Sequence, residues 1–306
     1  MSLDRTKVAI EPKTHEAYEK AVTEVGCSVA KLDSSVGALI WTDYSNPQGL
    51  ADCINDNPQL EFVQLPFAGV DAFQDVIRLP LRFACAKGSY REPVAEHALM
   101  LAMALGRVLP ERIRTKTWGR KHADSLYDAS VLIVGAGGIT EELIKQLAAF
   151  RCKITVVRNR DLPLSGADRV LLIDQLDSAL PEADWVFLAC SLTEQTMGLL
   201  NISRFKRMKP TAYLVNVARG AVIETMDLVK ALNEGLIAGA GVDVTEPEPL
   251  PDGHPLWDAK NIIITPHTAD TNAQVIRLFS LRIAENLAAY QGKGDWVGLV
   301  DPELGY

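Results

Sequence analysis

Three stretches of this chain each follow an apolar run with groups able to do chemistry. LVNVARGAVI (214–223) carries Arg219, GVDVTEPEPLP (241–251) carries Glu248, and IIITPHTADT (262–271) carries His267. A guanidinium clamps a carboxylate through two parallel hydrogen bonds. An imidazole exchanges a proton with a hydroxyl or carbonyl oxygen near neutral pH, and an adjacent carboxylate orients the ring and raises its pKa. Beside a hydride donor, this trio suits the reduction of a 2-oxo acid. Singly, none of the three specifies a reaction. A metal-dependent hydrolase is disfavoured, because His254, His267 and Glu248 lack a short helical ligand spacing. No metal site is expected.

A hydride donor is suggested upstream. VLIVGAGGIT (131–140) reads as a buried strand running into the Gly-x-Gly-x-x-Gly loop of a dinucleotide site, with Thr140 where the third glycine belongs. Gly135 suits the tight turn, and Gly137 lets a pyrophosphate approach the backbone. Gly138 and Ile139 open the following helix, whose N-terminus favours the anion. The β-branched Thr140 predicts a small outward shift of that helix. At the end of the next strand, KITVVRNRD (153–161), an NAD site usually presents an acid to the ribose hydroxyl. Here Arg158, Asn159 and Arg160 stand at that strand end, and Asp161 comes late. Guanidinium groups suit the extra phosphate of NADP(H), so NADP(H) is favoured over NAD(H).

These residues need elements to hold them. A 306-residue chain exceeds the size of one core, so two domains are expected. VAI (8–10), ALIW (38–41), LEFVQL (60–65) and FACA (83–86) read as strands of a first unit, with helices at 16–26 and 48–58. PVAEHALMLAMALGRVLPERIRTKTW (93–118) reads as a long helical stretch interrupted near Pro110. Seven further apolar runs follow, from SVLIVG to NIIITP, and residues 272–294 read as a closing helix. Alternation of this kind implies parallel sheets covered on both faces. The formal net charge of -8 argues against nucleic acid and an anionic membrane as partners. The longest apolar run, 98–105, is too short to span a bilayer. No export leader is evident, and five irregularly spaced cysteines fit reduced thiols, so a cytoplasmic location is expected.

At this point the chain resembles the D-isomer-specific 2-hydroxyacid dehydrogenase family over nearly its whole length. The resemblance rests on PFAGVDAF (66–73), PVAEHALMLAMAL (93–105), VLIVGAGGI (131–139), SLTEQTMGLLN (191–201), LVNVARGAVI, AGVDVTEPEPLPDGHPLW (240–257) and IIITPHTA. It implies two doubly wound parallel-sheet α/β domains. A flavodoxin-like substrate domain would span 1–95 and 275–306, and a Rossmann-type NAD(P)-binding domain 96–274. It implies that Arg219 binds the substrate carboxylate and polarises the 2-oxygen, that His267 donates the proton in reduction, and that Glu248 rather than Glu246 tunes His267. The amides of Ala68 and Gly69 would meet the carboxylate from the other domain, and Ala218 and Asp243 would line the nicotinamide end. Thr140 and Ser191, where a proline is usual, depart from the family pattern beside the cofactor. The expected reaction is NAD(P)H-dependent reduction of a small 2-oxo acid, glyoxylate- or hydroxypyruvate-like, to the D-2-hydroxy acid by a homodimer. The alternative is a corepressor-type NAD(P) sensor with little activity. Formate-type chemistry is disfavoured because Glu248 is retained.

Overall fold

The computed structural model of the chain describes residues 3–119 and 122–303. These form two compact units, one from the residues up to Tyr90 and those from Thr271 onward, the other from Arg91 to Asp270. In chain order the helices are α1 (Glu16–Glu24), α2 (Pro47–Asp56), α3 (Arg91–Gly106), α4 (Leu109–Arg112), α5 (Gly138–Ala148), α6 (Leu176–Ala179), α7 (Ile202–Phe205), α8 (Thr225–Glu234) and α9 (Asn272–Tyr290).

The first unit contains β1 (Lys7–Glu11), β2 (Ser28–Val29), β3 (Ala38–Trp41), β4 (Phe62–Gln64) and β5 (Arg82–Ala84). They pair in parallel in the order β2-β1-β3-β4-β5, the flavodoxin-like winding. Ala38–Trp41 is buried at every position, as a strand covered on both faces must be. The short β2 went unread in the sequence because two residues, Ser28 and Val29, with one apolar side chain between them are too few to show a strand pattern. Helix α9 returns to this unit and packs on α1, with Tyr18 edge-on to Phe279 at 5.3 Å. A capping box between Thr271 and Gln274 fixes where α9 starts.

The second unit contains β6 (Ser130–Val134), β7 (Lys153–Arg158), β8 (Arg169–Leu172), β9 (Trp185–Leu188), β10 (Tyr213–Asn216), β11 (Gly239–Val242) and β12 (Ile262–Ile264). All are parallel, in the order β12-β11-β10-β9-β6-β7-β8. Alternate residues of β6 serve two cores. Leu132 and Val134 join one with Leu228 and Leu232 of α8, and Val131 and Ile133 join the other with α3 and α5. The winding reverses between β6 and β9. Open parallel sheets bind ligands at such a reversal, outside the carboxyl ends of the strands.

The helical stretch read over 93–118, with an interruption near Pro110, does break, but ahead of the proline. Helix α3 ends at Gly106, and Val108 takes a left-handed φ of 54° before the one-turn α4. Pro110 therefore does not interrupt a helix; it lies at the start of a new one, where its missing N–H costs nothing. The described residues beyond Arg112 up to Gly119 are not helical. Gly106 sits where a Cβ would press on the Trp185 ring and the Asp124 carbonyl, so the helix end is packed hard against the sheet. No helix among the described residues is long and apolar enough to cross a membrane.

Candidate active site

The nucleotide loop follows β6 at the sheet's reversal. Gly135 has φ +111°, and a Cβ there would collide with the Ala189 carbonyl and the Cys190 amide at the end of β9. Glycine is thus required on two grounds, handedness and close approach. Gly137 differs: open space surrounds the place its Cβ would take, and no side chain caps the helix that it begins. Those two features leave room for a pyrophosphate at the α5 N-terminus, so the loop fits a dinucleotide. Gly138 and Ile139 form the first turn, with Ile139 packed partly into the core. Thr140 is fully buried, and its hydroxyl donates to the Gly135 carbonyl at 3.0 Å. The β-branched side chain is accommodated inside the turn and ties α5 back to it.

Arg158 ends β7, and Asn159 and Arg160 lie exposed beyond it. Arg158 donates weakly to the Leu162 carbonyl at 3.4 Å. Among the described residues, neither arginine has a carboxylate partner within 4.0 Å. Across the reversal, the loop after β9 is knitted by Thr196, which is 5% exposed. Its hydroxyl donates to the Ser191 carbonyl at 2.7 Å and accepts from the Thr193 amide at 2.8 Å. That loop therefore holds its shape without a proline at Ser191.

Arg219, Glu248 and His267 follow β10, β11 and β12, three adjacent strands, at their carboxyl ends. Buried Asn216 sets the first turn: its carbonyl oxygen accepts from the Ala218 amide and its amide donates to the Arg219 carbonyl, both at 3.0 Å. Ala218 is buried, and its own carbonyl accepts from Arg219 Nη1 at 2.8 Å. At Gly220 a Cβ would strike the Thr245 carbonyl and the Glu246 amide, so only glycine lets the Arg219 turn press against the loop bearing Glu248. Thr225 joins the same two loops by donating to the Glu246 carbonyl at 2.7 Å.

His267 Nδ1 lies 2.6 Å from Glu248 Oε1. Among the described residues, Glu246 makes no such contact. The short bond puts the Nδ1 proton toward Glu248 and leaves Nε2 for exchange with a substrate oxygen. The hydrogen bond that His267 donates to Glu248 raises the His267 pKa above the ordinary histidine value, against the effect of burial; Glu248 and Asp243 add Coulombic support and Arg219 opposes. The same hydrogen bond holds the Glu248 carboxyl below its usual range, and the nearby charges of His267 and Arg219 help. Arg219 is therefore close enough for both partners to feel its charge. Both side chains remain partly exposed, at 50% and 39%, which leaves the pair reachable. The imidazolium is the proton-loaded form, so any reaction that draws its proton from this pair should persist above the ordinary histidine range and fall as pH rises through the elevated pKa. Substituting Glu248→Gln is expected to move that limb to lower pH; a kcat profile measured from pH 5 to 9 in both proteins decides it, and an unmoved limb removes Glu248 from this role.

Asp243 is 2% exposed and faces the protein. Its carboxylate accepts from Thr265 Oγ1 at 2.6 Å, the Thr268 amide at 2.9 Å and the Ala269 amide at 3.2 Å. In the other unit, the Ala68–Gly69 turn follows β4. Its carbonyls are tied inward: Tyr90 donates to Pro66 at 2.6 Å, the Ala86 amide to Phe67 at 2.7 Å, and the Cys85 thiol to Ala68 at 3.4 Å. Among the described residues, the amides of Ala68 and Gly69 meet no backbone or side-chain acceptor, so both can donate to an anion. Sequence reasoning passed over Asn216, Thr225 and Thr265. Of these only Asn216 left a trace, as the lone polar residue ending the run YLVN.

His254 accepts from the Leu256 amide at 3.2 Å and caps a short 3-10 turn, a structural task. All five cysteines are free. Burial pushes the Cys152 and Cys190 thiols up to about 11, which leaves them protonated and unreactive.

Comparison with known proteins agrees with this geometry. Residues 97–269, more than half of the chain, match the family model for D-isomer specific 2-hydroxyacid dehydrogenase, NAD binding domain. An uncharacterised protein in the proB 3' region of Corynebacterium melassecola is 39% identical over 84% of this chain and 88% of its own length. Glyoxylate reductase/hydroxypyruvate reductase of Mus musculus is 34% identical over 72% of this chain and 71% of its own. The crystal structure of a D-isomer specific 2-hydroxyacid dehydrogenase from Xanthobacter autotrophicus Py2, in complex with NADPH and MES, has a TM-score of 0.85 and 25% identity, covering 98% of this chain and 99% of that one.

Proposed function

The chain belongs to the D-isomer-specific 2-hydroxyacid dehydrogenase family, and from that premise we propose that it reduces a small 2-oxo acid, of the size of glyoxylate or hydroxypyruvate, to the D-2-hydroxy acid at the expense of NADPH. The observation that carries this reading is the 2.6 Å bond between His267 and Glu248, next to Arg219 at one edge of a sheet whose reversal bears the nucleotide loop.

Arg219 binds the carboxylate and holds the 2-oxygen in line with His267. His267 enters charged, delivers its proton to that oxygen, and is stabilised throughout by Glu248. The backbone amides of Ala68 and Gly69 supply two further donors to the carboxylate. The reduced nicotinamide, when bound, supplies the hydride. Gly135 and Gly137 give its pyrophosphate access to the α5 N-terminus, and Arg158, Asn159 and Arg160 receive the 2′-phosphate.

The two arginines, which have no carboxylate partner among the described residues, support the preference for NADPH. Removing both, with Arg158→Ala and Arg160→Ala, is expected to lower the NADPH-over-NADH ratio of kcat/KM by roughly 10- to 100-fold, the value of one or two charge-assisted hydrogen bonds. The wild-type ratio should grow as salt is lowered. Equal or better wild-type turnover with NADH discards the preference. Exposed Met100, Met103, Leu109, Ile113 and Trp118 along and after α3 support association into a homodimer, which sedimentation velocity measures.

Steady-state assays with NADPH against glyoxylate, hydroxypyruvate, pyruvate and a bulkier 2-oxo acid test the proposal. Turnover of the two small substrates is the expected result. Tight NADPH binding without turnover of any substrate points instead to a corepressor-like sensor.

A further inference from the structure

Behind the site, α3 contributes a histidine that the reaction itself does not use. His97 has a side chain only 13% exposed, beside the 2% exposed side chain of Asp243. Its Nε2 lies 2.9 Å from Thr265 Oγ1 and 3.3 Å from Asp243 Oδ1. The hydroxyl of Thr265 has a single proton, and the 2.6 Å contact gives it to Asp243. Thr265 can then only accept from His97, so Nε2 carries a hydrogen and the chain of bonds runs His97 to Thr265 to Asp243.

Asp243 in turn gathers the backbone around His267. Its carboxylate takes the amides of Thr268 and Ala269, and its carbonyl takes the amide of His267 at 2.8 Å. His267 sits at φ +51°, a left-handed conformation that a non-glycine residue keeps only when its surroundings over-determine it. Three consecutive amides ending on one residue do so. A carboxylate that could swing would release two of them, and Thr265 and His97 are the groups that stop it swinging.

We infer that His97 is a positioning residue, which acts through Thr265 and Asp243 to hold the loop that presents His267. It touches no substrate. Its relevance to turnover rests on the reductase reading above, but its effect on the loop does not.

The test compares His97→Phe, which fills the space without a donor, with His97→Gln, whose amide nitrogen can stand in for Nε2–H. Hydrogen–deuterium exchange of the peptide spanning residues 265–270 reads the loop directly, with or without activity. Exchange about tenfold faster in His97→Phe, restored in His97→Gln, is expected from losing one hydrogen bond to a charged network. In parallel, kcat for glyoxylate should fall about tenfold in the phenylalanine variant and recover in the glutamine variant, while KM stays within about twofold. Should His97→Phe fail to fold, Thr265→Val against Thr265→Ser makes the same comparison at the next link. Unchanged exchange at 265–270, or equal losses in the donor-bearing and donor-lacking variants, overturns the inference. A wild type inert toward every 2-oxo acid, with exchange still altered in His97→Phe, overturns the reductase reading and leaves this one standing.

Discussion

Replacing His267 with glutamine is expected to lower reductive turnover by about three orders of magnitude, within the range that a positioned general acid contributes. Glutamine can still meet Glu248, but it has no proton to give at neutral pH. The dissociation constant for NADPH, read by fluorescence titration, should stay where it is. In the sheet order, β12 lies four strands from β6, and four spacings of about 4.8 Å put the β12 end that leads to His267 roughly 19 Å along the sheet from the glycine loop after β6. His267 and that loop are thus held by separate parts of one sheet. A loss smaller than tenfold, in a variant that melts like the wild type, shows that another group or water delivers the proton.

Replacing Arg219 with alanine is expected to lower kcat/KM for the 2-oxo acid by about 100- to 1,000-fold, chiefly through KM, since two charge-assisted hydrogen bonds to the carboxylate disappear. Lysine should recover little of this, because an ammonium cannot make the paired fork. A second readout separates binding from collapse of the site. The Arg219 charge pulls the His267 and Glu248 pKa values down. Without it, the His267 value rises and the alkaline limb of kcat moves to higher pH, opposite to the shift expected for Glu248→Gln. A limb that moves down, or a KM unchanged within twofold, rejects the assignment of Arg219 to the carboxylate.

Much of this architecture was legible in the order of residues. The short runs ALIW, VLIV and YLV are apolar without alternation, as strands buried on both faces read when they are too short for a buried helix. Gly235, just past ETMDLVKALNE, takes the left-handed C-cap of α8, a place that glycine fills without a Cβ penalty. The 93–118 stretch was legible as helix with a break, but its far end was not: helical spacing persists in ERIR, whereas the described residues beyond Arg112 up to Gly119 are not helical, and α3 stops at Gly106, packed against Trp185 and Asp124. At Thr140 local sequence shows only an added β-branched group; that its hydroxyl is buried and meets the Gly135 carbonyl came from the fold.

The sequence by itself determined which groups are present for chemistry, since Arg219, Glu248 and His267 each follow a strand by the few residues that bring a loop to the carboxyl edge of a parallel sheet. Only the tertiary structure decided how the imidazole meets its acid, with Nδ1 2.6 Å from Glu248 Oε1, and that His97, 170 residues earlier, braces the loop carrying it. Hydrogen bonds demand partners within about 3 Å, and distances of that size between separate strands are set by register and packing, which periodicity along one segment does not encode.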